Sequence, residues 1–375
     1  MNRNLKGLIA VSLLITVSTS FSAEKLNKDA AGVISPEVVS PETMPNKATT
    51  PAIKVDENLV KISADEQEFV DSMVEKYQLD ATKMTQWIAM AETKQSIIDA
   101  MNRPAEGALN WTQYSKIFLT KKRLSEGVEF WKKYQKELAR AEKTYGVPAE
   151  MIVAIIGVET FYGKIKGNYR VLDALYTLGF HYPRRAKFFK SELGHFFRLT
   201  EQQNWQPETR IGSYAGAMGY GQFMPSSYIS YAVDFDNDGA KDLINNPVDA
   251  IGSVAYYFKR YGWKKDQDVI VRARLTNWQA SKLSGRSTKT KFTISSLKEK
   301  GVVTSSKIAA DTKVSLLTFE HESKNEYWMG LHNFYVISRY NRSHMYSMAA
   351  YQLSQQLKKA YKAVEQKVAA KVATE

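Results

Sequence analysis

The segment Pro148–Gly163, PAEMIVAIIGVETFYG, constrains the fold of this chain more than any other. Pro148 suits the first position of a helix, where its missing N–H would be unpaired anyway. Ile152, Ile155 and Ile156 then recur at helical spacing and predict one apolar stripe. Glu159 falls on that stripe, seven residues after Ile152, four after Ile155 and three after Ile156. A carboxylate on a buried face is costly unless it is hydrogen-bonded or protonated. Burial of that kind raises the proton affinity of a Glu, which is what a general acid near neutral pH requires. The alternative is a Glu near a helix end whose head reaches solvent, with Gly163 as the stop.

The 375 residues suffice for two or three domains and at least one sizeable core. Residues 1–23 read as a secretory signal: Arg3 and Lys6 give the charged start, Leu8 to Val17 the apolar core, and Ser20 and Ser22 the small residues before a cut. The chain has no cysteine, so neither a disulfide nor a lipid-anchor Cys is expected. No later stretch reads as a membrane span, and the expected address is the periplasm. Residues 24–62 carry Pro36, Pro41, Pro45 and Pro51 among polar residues and are expected to form a flexible linker. Lys and Arg outnumber Asp and Glu by 52 to 39, which favours anionic polymers such as nucleic acid, anionic lipid or cell-wall glycan. A soluble protein with basic surface helices fits the same charge.

Order is expected from Ser63, where Ser63-Ala-Asp-Glu66 has capping-box spacing. Residues 63–145 form an N-terminal helical region, with an irregular aromatic segment at Trp111–Phe118 and one long helix over 123–145 that stops at Gly146. Residues 146–265 hold the Glu159 helix and the stretch Ser213–Ser227, where Gly216, Gly219 and Gly221 surround Gln222. Glycines that dense mark unusual φ values or close backbone approach to a ligand. Asp234, Asp236 and Asp238 then occupy positions one, three and five of an EF-hand-like loop, with Gly239 at six, Ala240 at seven and Asp242 at nine. Position twelve is Asn245 rather than Glu, and Asp249 is the nearest later carboxylate able to close the site. Calcium binding and an Asx turn of similar appearance both remain open. Alternating apolar residues predict a small antiparallel β insertion over 266–325, with strand character at Phe292–Ile294. Helical sequence is expected to resume after Asn333–Ser343, within a C-terminal part of the core spanning 326–375.

Four separated stretches stand in order: Gly157–Gly163, Gly216–Ser227, Asp249–Phe258 and Asn333–Asn341. Together they resemble the family B lytic murein transglycosylases over about residues 63 to 360. The resemblance implies a mainly α (α+β) fold with a lysozyme-like helical core. It also implies cleavage of the β-1,4 bond between N-acetylmuramic acid and N-acetylglucosamine in peptidoglycan, with the muramoyl C6 hydroxyl as attacking group and a 1,6-anhydro product. By motif position Glu159 is the single acid and base. Ser213 and Gln222 would hold sugar groups or the acid, and Tyr257, Tyr340 and Asn341 would line the cleft. Tyr256 stands beside Tyr257 where the family often has Asn. No catalytic cofactor is implied, and calcium would be structural. Partners are glycan strands and cell-wall synthesis or hydrolysis proteins, with no nucleic acid. The rival readings are a hydrolytic muramidase and a non-catalytic peptidoglycan-binding protein.

Overall fold

The computed structural model describes residues 61–103 and 109–372. The expected signal segment, 1–23, and linker, 24–62, lie outside the described residues apart from Lys61 and Ile62. Helix α1 (Ala64–Tyr77) opens on the expected capping box: Ser63 Oγ accepts from the Glu66 amide at 3.3 Å, and Glu66 Oε2 from the Ser63 amide at 2.6 Å. Helices α2 (Ala81–Ala89) and α3 (Gln95–Asn102) follow. Trp111–Phe118, expected to be irregular, is helix α4. Asn110 and Gln113 cap it reciprocally, at 2.9 and 3.1 Å, in the manner of Ser and Glu elsewhere. Its Trp111, Tyr114 and Phe118 then fall on one buried face. The single helix expected over 123–145 is two, α5 (Lys121–Lys133) and α6 (Gln135–Tyr145). No Pro or Gly marks the break. Tyr134 leaves helical geometry at φ −114°, ψ 32°, with its ring 4.8 Å from that of Phe130. Gly146, at φ 72°, ends α6 as expected.

Helix α7 (Ala149–Thr160) is buried at every position, so the expected stripe is a helix without a polar face. It sits among α5, α6 and two later helices, α11 (Pro247–Arg260) and α14 (His344–Val372). The chain also leaves α7 before Gly163: Phe161, Tyr162 and Gly163 take φ values of 52°, 62° and 84° in succession. Left-handed geometry costs an ordinary residue about 1–2 kcal/mol. Packing offsets that cost at Tyr162, whose hydroxyl donates to the Arg123 carbonyl at 2.9 Å. Glycine clears the space, since a Cβ at Gly157 would lie 2.6 Å from the Tyr162 ring and one at Gly127 only 2.3 Å from its hydroxyl.

Between α7 and α11 run β1 (Tyr169–Arg170), α8 (Val171–Phe180), α9 (Ala186–Gln202), β2 (Ile211–Gly212) and α10 (Pro225–Tyr231). Strands β1 and β2 pair antiparallel and close off the glycine-rich loop at its start. The β insertion comprises β3 (Ile270–Leu275), β4 (Phe292–Thr293), β5 (Val302–Val303), β6 (Lys313–Glu320) and β7 (Asn325–Gly330), in the antiparallel order β4-β6-β7-β3-β5. The expected edge at 325 is thus the start of β7. Ile294, expected in a strand, starts a short helix α12 (Ile294–Glu299), because Thr293 caps Ser296 at 3.2 Å. Val271, Ala273, Leu297, Val302, Val314, Leu316 and Met329 form a second apolar core under this sheet. The motif Asn333–Asn341, expected to precede the next helix, is itself mostly helix α13 (His332–Tyr340). Asn341 separates it from α14.

Candidate active site

Glu159 lies on the last turn of α7 and is 5 % exposed. The Tyr346 hydroxyl, from the first turn of α14, donates to its Oε1 at 2.5 Å. Burial, reinforced by the charge of Glu159, holds the Tyr346 hydroxyl well above its ordinary range, so it stays a donor. Tyr340 is raised for the same two reasons. The end of α7 is fixed from below by Arg123, itself buried. Its Nε donates to the Gly157 carbonyl at 3.1 Å and its Nη1 to those of Ile117 and Phe118 at 2.6 and 3.1 Å. The Ile117 and Phe118 carbonyls lie in the last turn of α4, where a helix leaves its carbonyls unpaired, while the Gly157 carbonyl also accepts from the Phe161 amide at 3.1 Å.

The glycine-rich loop reaches the acid through Thr160. Its hydroxyl donates to the Tyr220 carbonyl at 2.8 Å and accepts from the Gly163 amide at 2.9 Å. Ser213 Oγ turns the loop by accepting from the Ala215 and Ala217 amides at 3.3 and 3.0 Å. Met218 and Phe223 exchange two backbone bonds of 2.9 Å, which close the turn carrying Gln222. Gly219 is required there: at φ 73° its Cβ would stand 2.1 Å from the Leu243 carbonyl oxygen. Gln222 itself is left-handed at φ 49° and 3 % exposed. Its Nε2 donates to the Lys166 and Gly219 carbonyls at 3.2 and 3.0 Å, while its buried Oε1 has no partner among the described residues. Strain and an unmet acceptor on one side chain mark a site rather than a plain turn.

The other expected residues close the same neighbourhood. Tyr340 donates to the Gly221 carbonyl at 2.5 Å, and Tyr257 to that of Arg339 at 2.6 Å. Their ring centroids are 4.8 Å apart, and Phe223 packs edge-on against both. Both rings are packed and both hydroxyls are committed to backbone. Asn341 Oδ1 accepts from the Ser343 amide at 3.0 Å, where the chain turns into α14. Sequence reasoning missed Tyr346, Thr160 and Arg123. For Tyr346 a signal existed: Ser343 caps α14, its Oγ accepting from the Tyr346 amide at 3.2 Å, and the third helical residue then faces inward.

Among the expected metal ligands, Asp234, Asp236 and Asp249 each bring a carboxylate oxygen within 4.8 Å of the others. The carboxylates of Asp238 and Asp242 do not join that group. Asp242 Oδ1 instead accepts from the Ile244 and Asn245 amides at 2.8 and 2.9 Å, and Asp238 Oδ1 from the Ala240 amide at 2.8 Å. Asp249 is wholly buried, and burial first, then the charges of Asp236 and Asp234, raise its carboxyl above the usual range. Hard oxygen donors crowded in this way suit a divalent cation such as calcium.

A helical core with one acid at a buried helix end, a glycine-rich loop bound to it and a small antiparallel sheet define a lysozyme-like glycan-cleaving fold. Residues 61–355 match the family model described as the transglycosylase SLT domain, and the chain belongs to that family. It is 44 % identical over 298 residues to the membrane-bound lytic murein transglycosylase B of Escherichia coli (strain K12), covering 77 % of this chain and 81 % of that protein. The solved structure of the catenated lytic transglycosylase SltB1 from Pseudomonas aeruginosa is similar with a TM-score of 0.77 at 47 % identity, over 80 % of this chain and 98 % of that one. The Escherichia coli lytic transglycosylase Slt35 in complex with calcium gives a TM-score of 0.73 at 44 % identity, over 80 % and 94 %.

Proposed function

We propose that this protein is a lytic murein transglycosylase that cleaves the β-1,4 bond between N-acetylmuramic acid and N-acetylglucosamine and leaves a 1,6-anhydromuramoyl end. Glu159, buried at the C-terminal end of α7 with a tyrosine hydroxyl on its Oε1, carries this reading. A buried carboxyl at the negative end of a helix is the setting a general acid near neutral pH requires. Protonated Glu159 gives its proton to the glycosidic oxygen as the bond to C1 breaks. As a carboxylate it then takes the proton of the C6 hydroxyl while that oxygen bonds to C1, which regenerates the acid. A pair of carboxylates, as in hydrolytic glycosidases, is not needed.

Gln222 Oε1, without a partner among the described residues, supports a role in accepting a sugar hydroxyl or the acetamido N–H. Ser213 shapes the loop that presents it. Tyr257 and Tyr340 act as rings at the cleft wall rather than as free donors, because their hydroxyls are already bonded. Asn341 stands at the turn between them and Tyr346. Calcium at Asp234, Asp236 and Asp249 would neutralise three carboxylates and stabilise the loop, with no part in proton transfer. The proposed organisation keeps an N-terminal helical region, a catalytic core, a β insertion and a C-terminal helical part. Export to the periplasm, as the first 23 residues suggest, places the enzyme on its substrate. No described helix is long and apolar enough to cross a membrane.

The test is digestion of purified sacculi, with mass spectrometry of the products. Anhydro ends are expected, whereas reducing ends would establish a muramidase. Glu159→Gln keeps the size of the neutral acid and should fold, yet lose about 10²–10⁴-fold in turnover. Activity retained above roughly a tenth of wild type would place the acid elsewhere, since general acid catalysis is worth far more than that.

A further inference from the structure

The β insertion presents a second surface. Between Val269 and Val314 the sequence holds ten Lys and Arg against two acids, Glu299 and Asp311. After β3 the chain enters a short 3-10 helix, Trp278–Leu283, in which Trp278 is 70 % exposed. The next most exposed large apolar residue among those described is Met90, at 46 %. Single exposed apolar residues are ordinary, but an indole held in place beneath a cation is less so. Lys282 Nζ lies 4.8 Å from the Trp278 ring centroid, and the Ser281 hydroxyl donates to the Trp278 carbonyl at 2.6 Å.

The turn after α12 lies alongside. The Thr276 amide donates to the Gly301 carbonyl at 2.8 Å, which sets Lys298 and Lys300 beside the Thr276–Trp278 segment. Arg274, Thr276, Asn277, Trp278, Gln279, Lys282, Lys298 and Lys300 are all exposed. Among the described residues none of the cations Arg274, Lys282, Lys298 and Lys300 forms an ion pair.

We infer that this edge of the insertion is an auxiliary binding surface for peptidoglycan, in which Trp278 stacks on the apolar face of a sugar ring and the surrounding cations meet peptide-stem carboxylates. The inference rests on the proposed substrate and extends it to a second contact outside the catalytic site. A bilayer surface fits less well. One indole flanked by Asn277, Gln279 and Thr276 offers polar groups for sugar hydroxyls and no broad apolar face to bury. The unpaired cations match the carboxylates of the stems, and their contribution falls as salt rises.

Binding and cleavage separate in the test. Pelleting with insoluble sacculi is measured in the Glu159→Gln background, so that nothing is digested, and cleavage of short soluble glycans is measured in the otherwise wild-type protein. Trp278→Ala should lower sacculus affinity by about threefold to tenfold and leave cleavage of soluble glycans unchanged. Trp278→Phe should recover part of the loss. The pair Lys298→Glu, Lys300→Glu should weaken binding at low salt and converge on wild type at high salt. Undiminished pelleting of Trp278→Ala, with its melting curve intact, would overturn the inference. So would loss of binding to phosphatidylcholine–phosphatidylglycerol vesicles with none to sacculi. Failure of soluble-glycan cleavage by wild type would instead count against the catalytic reading, whatever the sacculi show.

Discussion

Buried acids are common in this chain, and their partners separate their roles. Glu192 accepts from the Ser226 amide and hydroxyl at 3.0 and 2.6 Å and caps α10, burial holding its carboxyl above the usual range. Glu150 meets Lys358 at 2.7 Å. Asp173 accepts from the Glu92 amide at 3.0 Å, and Glu66 belongs to the α1 capping box. Glu150, Asp173 and Glu66 sit in the first turn of their own helices, and Glu192, from the middle of α9, caps the start of α10; at all four the dipole welcomes negative charge. Glu159 is at the opposite end of its helix; a tyrosine hydroxyl holds it, as the Tyr176 hydroxyl also holds Glu66 at 2.5 Å, so its place at the helix end sets it apart. Tyr346 is therefore expected to orient the acid. Tyr346→Phe keeps the ring and removes the donor, so kcat should fall about tenfold or more with little change in KM, the scale of one hydrogen bond to a charged or charging group. The measurement is steady-state turnover on soluble glycan with a melting curve. Unaltered kcat would reduce Tyr346 to a packing residue.

Helix α11 joins the two clusters of functional interest. Asp249 stands on its first turn and accepts from the Phe235 and Asp242 amides at 2.7 and 2.8 Å. Tyr257 lies eight residues on, about 12 Å along the axis at 1.5 Å per residue. A cation at the loop would thus brace the helix that carries a cleft ring, without reaching the acid. Calcium should raise the melting temperature relative to chelator, and a hundredfold excess over Kd corresponds to about 2.7 kcal/mol. Asp236→Ala removes an exposed ligand and should erase the difference between the two buffers. Identical melting of the wild type in both would leave the loop an Asx turn.

The sheet and the helical core meet where α4, β6 and α14 converge. Trp111 packs edge-on to Phe319 at 5.3 Å, Thr112 Oγ1 is 3.0 Å from His321 Nδ1, and the His344 ring is 5.1 Å from Phe319. His344 is buried and its pKa is lowered to about 4, first by desolvation, then by the nearby Arg286; Glu320 and a bond to the Thr318 backbone oppose this weakly. The folded state binds this proton less tightly than the unfolded chain does, whose His titrates near 6.5. Stability from His344 is therefore full above about pH 6.5 and lost as pH falls toward 4, at most about 3 kcal/mol. Urea unfolding across that window should show His344→Gln losing less stability than wild type. Parallel curves would mean that this joint does not sense pH.

Local spacing was enough for much of the map. Capping at Ser63, the stop at Gly146 and the alternation in β3 are short-range choices of propensity and hydrogen bonding, and these the residues declare themselves. Glu159 and Gln222 stood out because a polar group among apolar neighbours, or a dense run of glycine, is conspicuous in one dimension, whereas Tyr257 and Tyr340 came only from the family resemblance. What neighbours in sequence could not decide was whatever depended on contact across the chain. The full burial of α7 comes from four other helices closing around it, and its early end comes from the Tyr162 wedge between Gly127 and Gly157. Tyr346 meets Glu159 across 187 residues, and Asp249 gathers with Asp234 and Asp236 while Asp242 turns away. Side-chain chemistry set which groups could act; packing, which fixes distance and solvent exclusion together, decided which of them meet.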